Sequence, residues 1–309
     1  MRKTNKLPLA VKIAAGIPVI LLAVFFIIFF SNPGGESVVT PDDFAAGDLS
    51  EAELYTAGAL ALLAPGAPAD PDREAFVYNY WRWILGEAGI PEQMTRDIIA
   101  SILESPAFIM ELLVLLQENY YTFLLVDKQH ALPLDYSPDD LVPLTAGGSF
   151  RITRNDLSLR RSAAASLEEM AAAAAAEGVT LIAASTYRSA ARQAEIFAWQ
   201  VHTFGLETAE RQSARPGHSE HQLGTAVDFY PIHDNFAYTA ASRWLVQNAG
   251  SFGWTLSYPD GYEHVTGYRF EPWHYRFVGR PLAAFINTYF GGIPQFALQF
   301  IKVWQEHTS

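Results

Sequence analysis

The chain contains no cysteine. That excludes disulfide staples and thiolate chemistry, and it fits an oxidising compartment without establishing one. Positive charge is scarce: 21 Lys and Arg stand against 33 Asp and Glu, a net charge of −12. Nucleic-acid backbones are bound through clustered Lys and Arg, so the balance argues against such a partner. Internal repeats are lacking too. Charged residues are only 17% of the chain and hydrophobic residues 50%, which permits a sizeable core and argues against global disorder. The 309 residues leave room for one catalytic domain with attachments.

One hydrophobic run is long. Residues 1–6, MRKTNK, carry three positive charges, and the 24 residues from Leu7 to Phe30 are apolar apart from Lys12. As a helix they would reach about 36 Å, enough for a hydrocarbon layer of roughly 30 Å. Lys12, near the basic end, can snorkel to the headgroups. A cleaved signal peptide usually has an apolar region of about 7–15 residues ending in an A-x-A-like site. Here the run is longer and SNPGG follows it. The expectation is an uncleaved anchor, residues 1–30, with its basic end cytoplasmic.

Residues 31–50, rich in Gly, Pro, Ser and Asp, read as a linker. Residues 51–121 read as an acidic helical module, with helices opened at Pro71, Pro91 and Pro106. From Ser31 to Tyr121 there are 15 acidic and three basic residues, which accounts for the whole net charge. The run AFIMELLVLLQ (107–117) is too short for a second span and contains Glu111, so a buried amphipathic helix is expected. From TFLLVDKQHALPLDY onward the texture changes to short β-rich runs and turns. A long helix is expected from about Leu157 to Glu177, with AAAAAA at 171–176 and Gly178 ending it. VTLIAAST reads as a buried strand and YRSAARQAEIFAWQ as a helix. The tail, 281–309, reads as helical and interrupted at GGIP.

The chemistry concentrates in PGHSEHQLGTAVDFY, residues 216–230. His221 and Asp228 are too far apart for one helical turn; Gly224 between them marks a turn or close backbone approach, and TAVDF reads as a strand presenting Asp228. A lone His and Asp this close are usually structural. EPWHY, residues 271–275, adds a third candidate ligand, His274, and a carboxylate, Glu271. Pro272 argues against a helix interior, so these two are not a surface i,i+3 pair. A catalytic zinc site takes about three protein ligands and keeps one position open, and Glu271 is placed as its general base.

Four ordered motifs, STYRSAARQ, ARPGHSEHQLGTAVDF, WLVQNAGSFGW and GYRFEPWHYRFVG, resemble the zinc-dependent D-alanyl-D-alanine carboxypeptidases and dipeptidases. That family includes the vancomycin-resistance D,D-carboxypeptidases and shares its fold with the hedgehog signalling domain. LLVDKQHALPLDYSPDDLVPL is similar to the family's domain opening. The resemblance covers roughly residues 122–280, leaving out the helical module and the tail, 281–309. It implies an α+β fold, an antiparallel sheet with flanking helices, here preceded by the anchor and the helical module. It implies zinc as cofactor, with His221, Asp228 and His274 as ligands, Glu271 as general base and Arg188 as the group that steadies the oxyanion. Gln193 and Ser219 match positions near the substrate, and Trp273 matches an aromatic beside the metal, where core packing accounts for it equally well. Thr186 departs from the family pattern, standing where Gly is expected before YRS. His218 is read as a variable loop residue, and His130, His202, His233, His264 and His307 as surface or packing residues.

The activity implied is removal of the terminal D-alanine from peptidoglycan stem peptides ending in D-Ala-D-Ala, by a membrane-anchored enzyme facing the periplasm or cell wall. The alternatives are a D,D-dipeptidase or endopeptidase of the same family, or a non-catalytic wall-binding module with structural zinc. A structural site would need neither Glu271 nor Arg188, which weighs against the last.

Overall fold

The computed structural model describes residues 71–308 apart from 106 and 146–148. The expected anchor, the linker and residues 51–70 of the acidic module lie outside the described residues. Among the described residues no single helix is long and apolar enough to cross a membrane.

The described residues divide into two compact units, one made of those from 71 to 113 together with 299–308, the other of those from 114 to 298. In the first, α1 spans Pro71–Glu87 and α2 (Glu92–Glu104) follows directly on Pro91. Proline suits that position because the first N–H groups of a helix have no intrahelical partner. α3 (Ala107–Leu115) buries Phe108, Ile109, Leu112 and Leu113 and leaves Glu111 exposed. The aromatic centre of this unit is Trp81 and Phe108, edge to face at 5.6 Å, with Phe300 at 5.6 Å from Phe108.

The second unit is α+β. Its small sheet pairs β1 (Leu141–Pro143) antiparallel with β3 (Ser158–Arg160). Its main sheet has five strands in the order β2 (Arg151–Ile152), β4 (Ile182–Ser185), β5 (Ala226–Phe229), β7 (His274–Phe277), β6 (Trp254–Leu256). The wholly antiparallel sheet expected is corrected at one edge, where β2 and β4 run parallel. Between them the chain passes through β3 and α4 (Arg161–Ala176), and a helical return of this kind brings a strand back in its original direction. The helix expected from Leu157 therefore starts four residues later, because residues 158–160 are claimed by pairing with β1 and Leu159 is fully buried there.

α4 buries Ala163, Leu167, Met170, Ala171 and Ala174, a stripe at helical spacing. It packs with Val227, Phe229, Trp254 and Tyr275 in the main core. α5 (Ala190–Phe204) is capped by Ser189, whose hydroxyl accepts the Arg192 N–H; this satisfies one of the orphan donors of the first turn. α6 (Leu206–Gln212), α7 (Ala240–Asn248) and the short α8 (Glu263–Thr266) follow. The tail forms α9 (Arg280–Tyr289) and α10 (Pro294–Thr308), broken where Gly291 and Gly292 take positive φ.

What matters for the site is the register of three strands. Asp228 on β5 lies opposite His274 on β7 and opposite Ser185 on β4. Cross-strand partners share a face of the sheet, and a slip of one residue would turn each to the other side. All four residues of β5 are buried, and Val227 and Phe229 belong to the main core, so a slip in register would carry them out of it.

Candidate active site

His221 comes from the 3-10 turn Glu220–Leu223, which Gly224 closes in the left-handed region at φ 72°. A Cβ on Gly224 would stand 3.0 Å from Leu141 Cδ2 and 3.1 Å from Pro138 Cγ. The Nδ1–H of His221 donates to the Thr186 carbonyl at 2.7 Å, which leaves Nε2 pointing at Asp228 Oδ2, 3.1 Å away. His274 is arranged the other way round. Its Nε2–H donates to Glu220 Oε2 at 3.0 Å, and its Nδ1 stands 2.9 Å from Asp228 Oδ1. All three residues are buried, and one ligand atom of each lies within 4.8 Å of the others.

This donor set fits a metal ion. Each imidazole commits one nitrogen as donor to a fixed acceptor, so the lone pair of the other is directed at a carboxylate. Three electron-rich atoms converge, and a cation among them relieves the repulsion. Burial alone would lower the His274 pKa, but its hydrogen bonds to Asp228 and Glu220 push it up to about 10. Burial would raise Asp228, yet His221 and His274 hold it well below the usual carboxylate range. Burial pulls His221 down, which keeps its ring neutral and available as a ligand.

Glu271 reaches the metal-facing side, with Oε2 4.0 Å from His274 Nδ1. Burial, with Asp228 adding to it against the pull of His274, pushes its carboxyl up to about 8. Arg188 is fixed at three points: its backbone N–H to the His221 carbonyl at 3.1 Å, Nη1 to Gln193 Oε1 at 2.7 Å, and Nη2 to Ser185 Oγ at 2.8 Å. Nη2 also stands 3.7 Å from Asp228 Oδ2. A groove of about 830 Å³ opens over these groups, lined by Arg188, Ser219, Glu271 and Trp273 and extending to Trp199 and Phe204.

Gln193, expected to face the substrate, does not line this groove. It is buried behind Arg188, and its amide donates to Ser213 Oγ at 3.1 Å and the Ala214 carbonyl at 2.6 Å. Its place is that of an anchor for the guanidinium. Trp273 belongs to both the groove and the core. His218 donates to or accepts from no ligand residue; its Nδ1 is 2.7 Å from the Asp127 carbonyl. His233, expected as a surface or packing residue, lines the groove. The Thr186 departure has a use, since its hydroxyl accepts the Ser158 N–H at 3.0 Å while its carbonyl orients His221. Two residues escaped the sequence reading. Glu220 holds His274 from behind, and Tyr258 lies 4.8 Å from the His274 ring. Neither has a local pattern that marks it.

The family model for D-alanyl-D-alanine carboxypeptidases, VanY, matches residues 156–280. These hold all three candidate ligands, Arg188 and Glu271. Residues 156–280 are a VanY-family domain. Among similar proteins is a putative carboxypeptidase, YodJ, of Bacillus subtilis, 40% identical over 169 residues, covering 53% of this chain and 62% of that one. A D-alanyl-D-alanine carboxypeptidase of Enterococcus faecalis is 34% identical over 171 residues, covering 52% and 60%. A solved structure, a vancomycin-resistance D,D-pentapeptidase VanY in complex with Zn(II), is 32% identical and covers 58% of this chain and 98% of that one, at a TM-score of 0.48. The chain thus spans about three-fifths of the length of these curated relatives. The VanY domain accounts for the main sheet from β4 to β7 and for the site; α1 to α3, β1, β2 and α10 lie outside the matched residues.

Proposed function

We propose that this chain is a zinc-dependent D-alanyl-D-alanine carboxypeptidase that removes the terminal D-alanine from peptidoglycan stem peptides, on a fold of the hedgehog/DD-peptidase type. The observation that carries the reading is the juxtaposition of the N, O, N donor set with a buried carboxyl 4.0 Å from His274 Nδ1. A structural metal site has no use for that carboxyl. His221, Asp228 and His274 would hold zinc, which when bound activates water and polarises a carbonyl. Glu271 takes the proton of the attacking water and passes it to the leaving amine. Arg188, already held by Gln193 and Ser185, offers a guanidinium to the developing oxyanion without reorganising. Ser219 and Trp273 shape the wall beside the reacting bond. A groove of about 830 Å³ is far larger than two alanines require, which favours a stem peptide over a free dipeptide as substrate.

The test uses purified zinc-loaded protein and a pentapeptide stem ending in D-Ala-D-Ala, with products read by mass spectrometry. Loss of a single alanine is expected. Release of an Ala-Ala unit or an internal cut would replace this reading with the dipeptidase or the endopeptidase. Glu271→Gln should keep its zinc and lose activity by about 10²–10⁴-fold, the usual share of a positioned acid–base group. Wild-type turnover in that variant would place the base elsewhere.

The location of the enzyme is part of the proposal. The basic residues 1–6 and the apolar run to Phe30 support a membrane anchor that leaves the catalytic unit outside the cytoplasm, where stem peptides are found. Full-length protein should sediment with membranes at its full mass and stay there in high salt, because the attachment is apolar rather than ionic. A soluble species starting after about residue 30 would identify a cleaved signal peptide instead.

A further inference from the structure

Behind His274 lies a buried chain of hydrogen bonds that leads away from the candidate metal site. Glu220 accepts three donors: His274 Nε2–H at 3.0 Å and Ser257 Oγ–H at 2.6 Å on Oε2, and Arg276 Nη1–H at 3.0 Å on Oε1. Arg276 is completely buried. Its Nη2 donates to the carbonyls of Leu124 at 2.7 Å, Tyr121 at 3.3 Å and Thr122 at 3.4 Å. Those carbonyls belong to the segment that opens the larger unit, ahead of the residues that match the VanY family.

We propose that Glu220, locked by Arg276 to residues 121–124, is the positioning residue that sets the His274 ring so that Nδ1 is the metal donor. The inference rests on the metal-site reading above. An imidazole can offer either nitrogen, and which one it offers is decided by what the other is bonded to. On β7 the ring of His274 lies between two carboxylates, Asp228 on one side and Glu220 on the other. Glu220 accepts from Arg276 and Ser257 and is held in place by them, so the ring nitrogen that meets it, Nε2, is the one that donates. Were Glu220 free to move, the ring could turn and present Nε2 to the site, away from the position that Asp228 and His221 define. Arg276 supplies the anchorage: one arm of its fork takes Glu220 and the other takes backbone, a division that a single ammonium cannot reproduce. The metal site therefore draws its geometry from a segment outside the family-matched residues.

The test measures zinc affinity by chelator competition, with Co(II) absorption in the visible as a report of ligand geometry. Glu220→Gln keeps the size of the side chain but can present an amide N–H to the ring. Zinc affinity should fall about 10–100-fold, the usual effect of losing such a support, and the Co(II) bands should shift. Because Glu220→Gln leaves Arg276 buried without its counter-charge, the double variant Glu220→Gln, Arg276→Met is made alongside it. If that variant melts as the wild-type apoprotein does, its zinc affinity should still be at least tenfold weaker. Arg276→Lys should weaken zinc and shift the Co(II) bands in the same sense. Wild-type affinity and an unshifted Co(II) spectrum in the folded double variant would overturn the positioning role while leaving the metal site standing. Failure of the wild-type protein to bind one zinc would overturn both.

Discussion

The oxyanion role assigned to Arg188 depends on its shape more than on its charge. One guanidinium contacts Gln193, Ser185 and Asp228 at 2.7, 2.8 and 3.7 Å. A lysine at this position reaches one of these partners and leaves the others to rearrange. Arg188→Lys should therefore lower kcat on the order of 10²-fold, as loss of one oxyanion donor does, with zinc content unchanged by metal analysis. An unchanged kcat would assign the oxyanion to another group. At this scale the short motifs named His221, Asp228, His274 and Glu271 as candidates, and the family resemblance alone named Arg188; the structure brings these five side chains together. Gln193 was legible as a member of the site but not as a buried anchor, because its partners, Ser213 and Ala214, come from the end of α6 and the loop beyond. Glu220 was not legible at all. A charged residue beside a ligand reads as solvated, and only Arg276, 56 residues on, makes its burial tolerable.

At the level of elements, the turn that carries His221 hangs on one glycine. Gly224 combines a left-handed backbone with close neighbours, so that a methyl group would crowd Leu141 and Pro138 at 3.0 and 3.1 Å. Gly224→Ala should cost about 1–2 kcal/mol from the backbone alone, seen as a lower midpoint in urea, and should weaken zinc binding by tilting His221. Equal midpoints for the two proteins would mean that the turn relaxes freely. The strand holding Asp228 was readable from TAVDF. That it faces His274 in register was not, since pairing is set by partners far along the chain. The parallel edge was missed for a related reason: α4 was placed correctly in the main, but the two-residue β2 has too little sequence to announce itself.

For the whole molecule, the three ligands sit on separate elements, the 3-10 turn, β5 and β7. A metal ion joining them stabilises the folded state by mass action, about 4 kcal/mol when free zinc exceeds its Kd a thousandfold. Chelation should lower the melting temperature of the larger unit by roughly 10 °C for a unit of this size, measured by calorimetry, and added zinc should restore it. A melting temperature indifferent to chelator would remove the ion from the folded state's energetics.

The helical unit is built from two described stretches, residues 71–113 and 299–308, with the other unit between them in sequence. Phe300 and Trp304 are buried, and Phe300 meets the rings of Trp81 and Phe108. Synthesis delivers these rings in an awkward order. Trp81 and Phe108 leave the ribosome early, while Phe300 follows only after the whole α+β unit has been made. The part of the protein made first is thus the part whose core is closed last, and until then its apolar faces stand open to chaperones or to neighbouring chains.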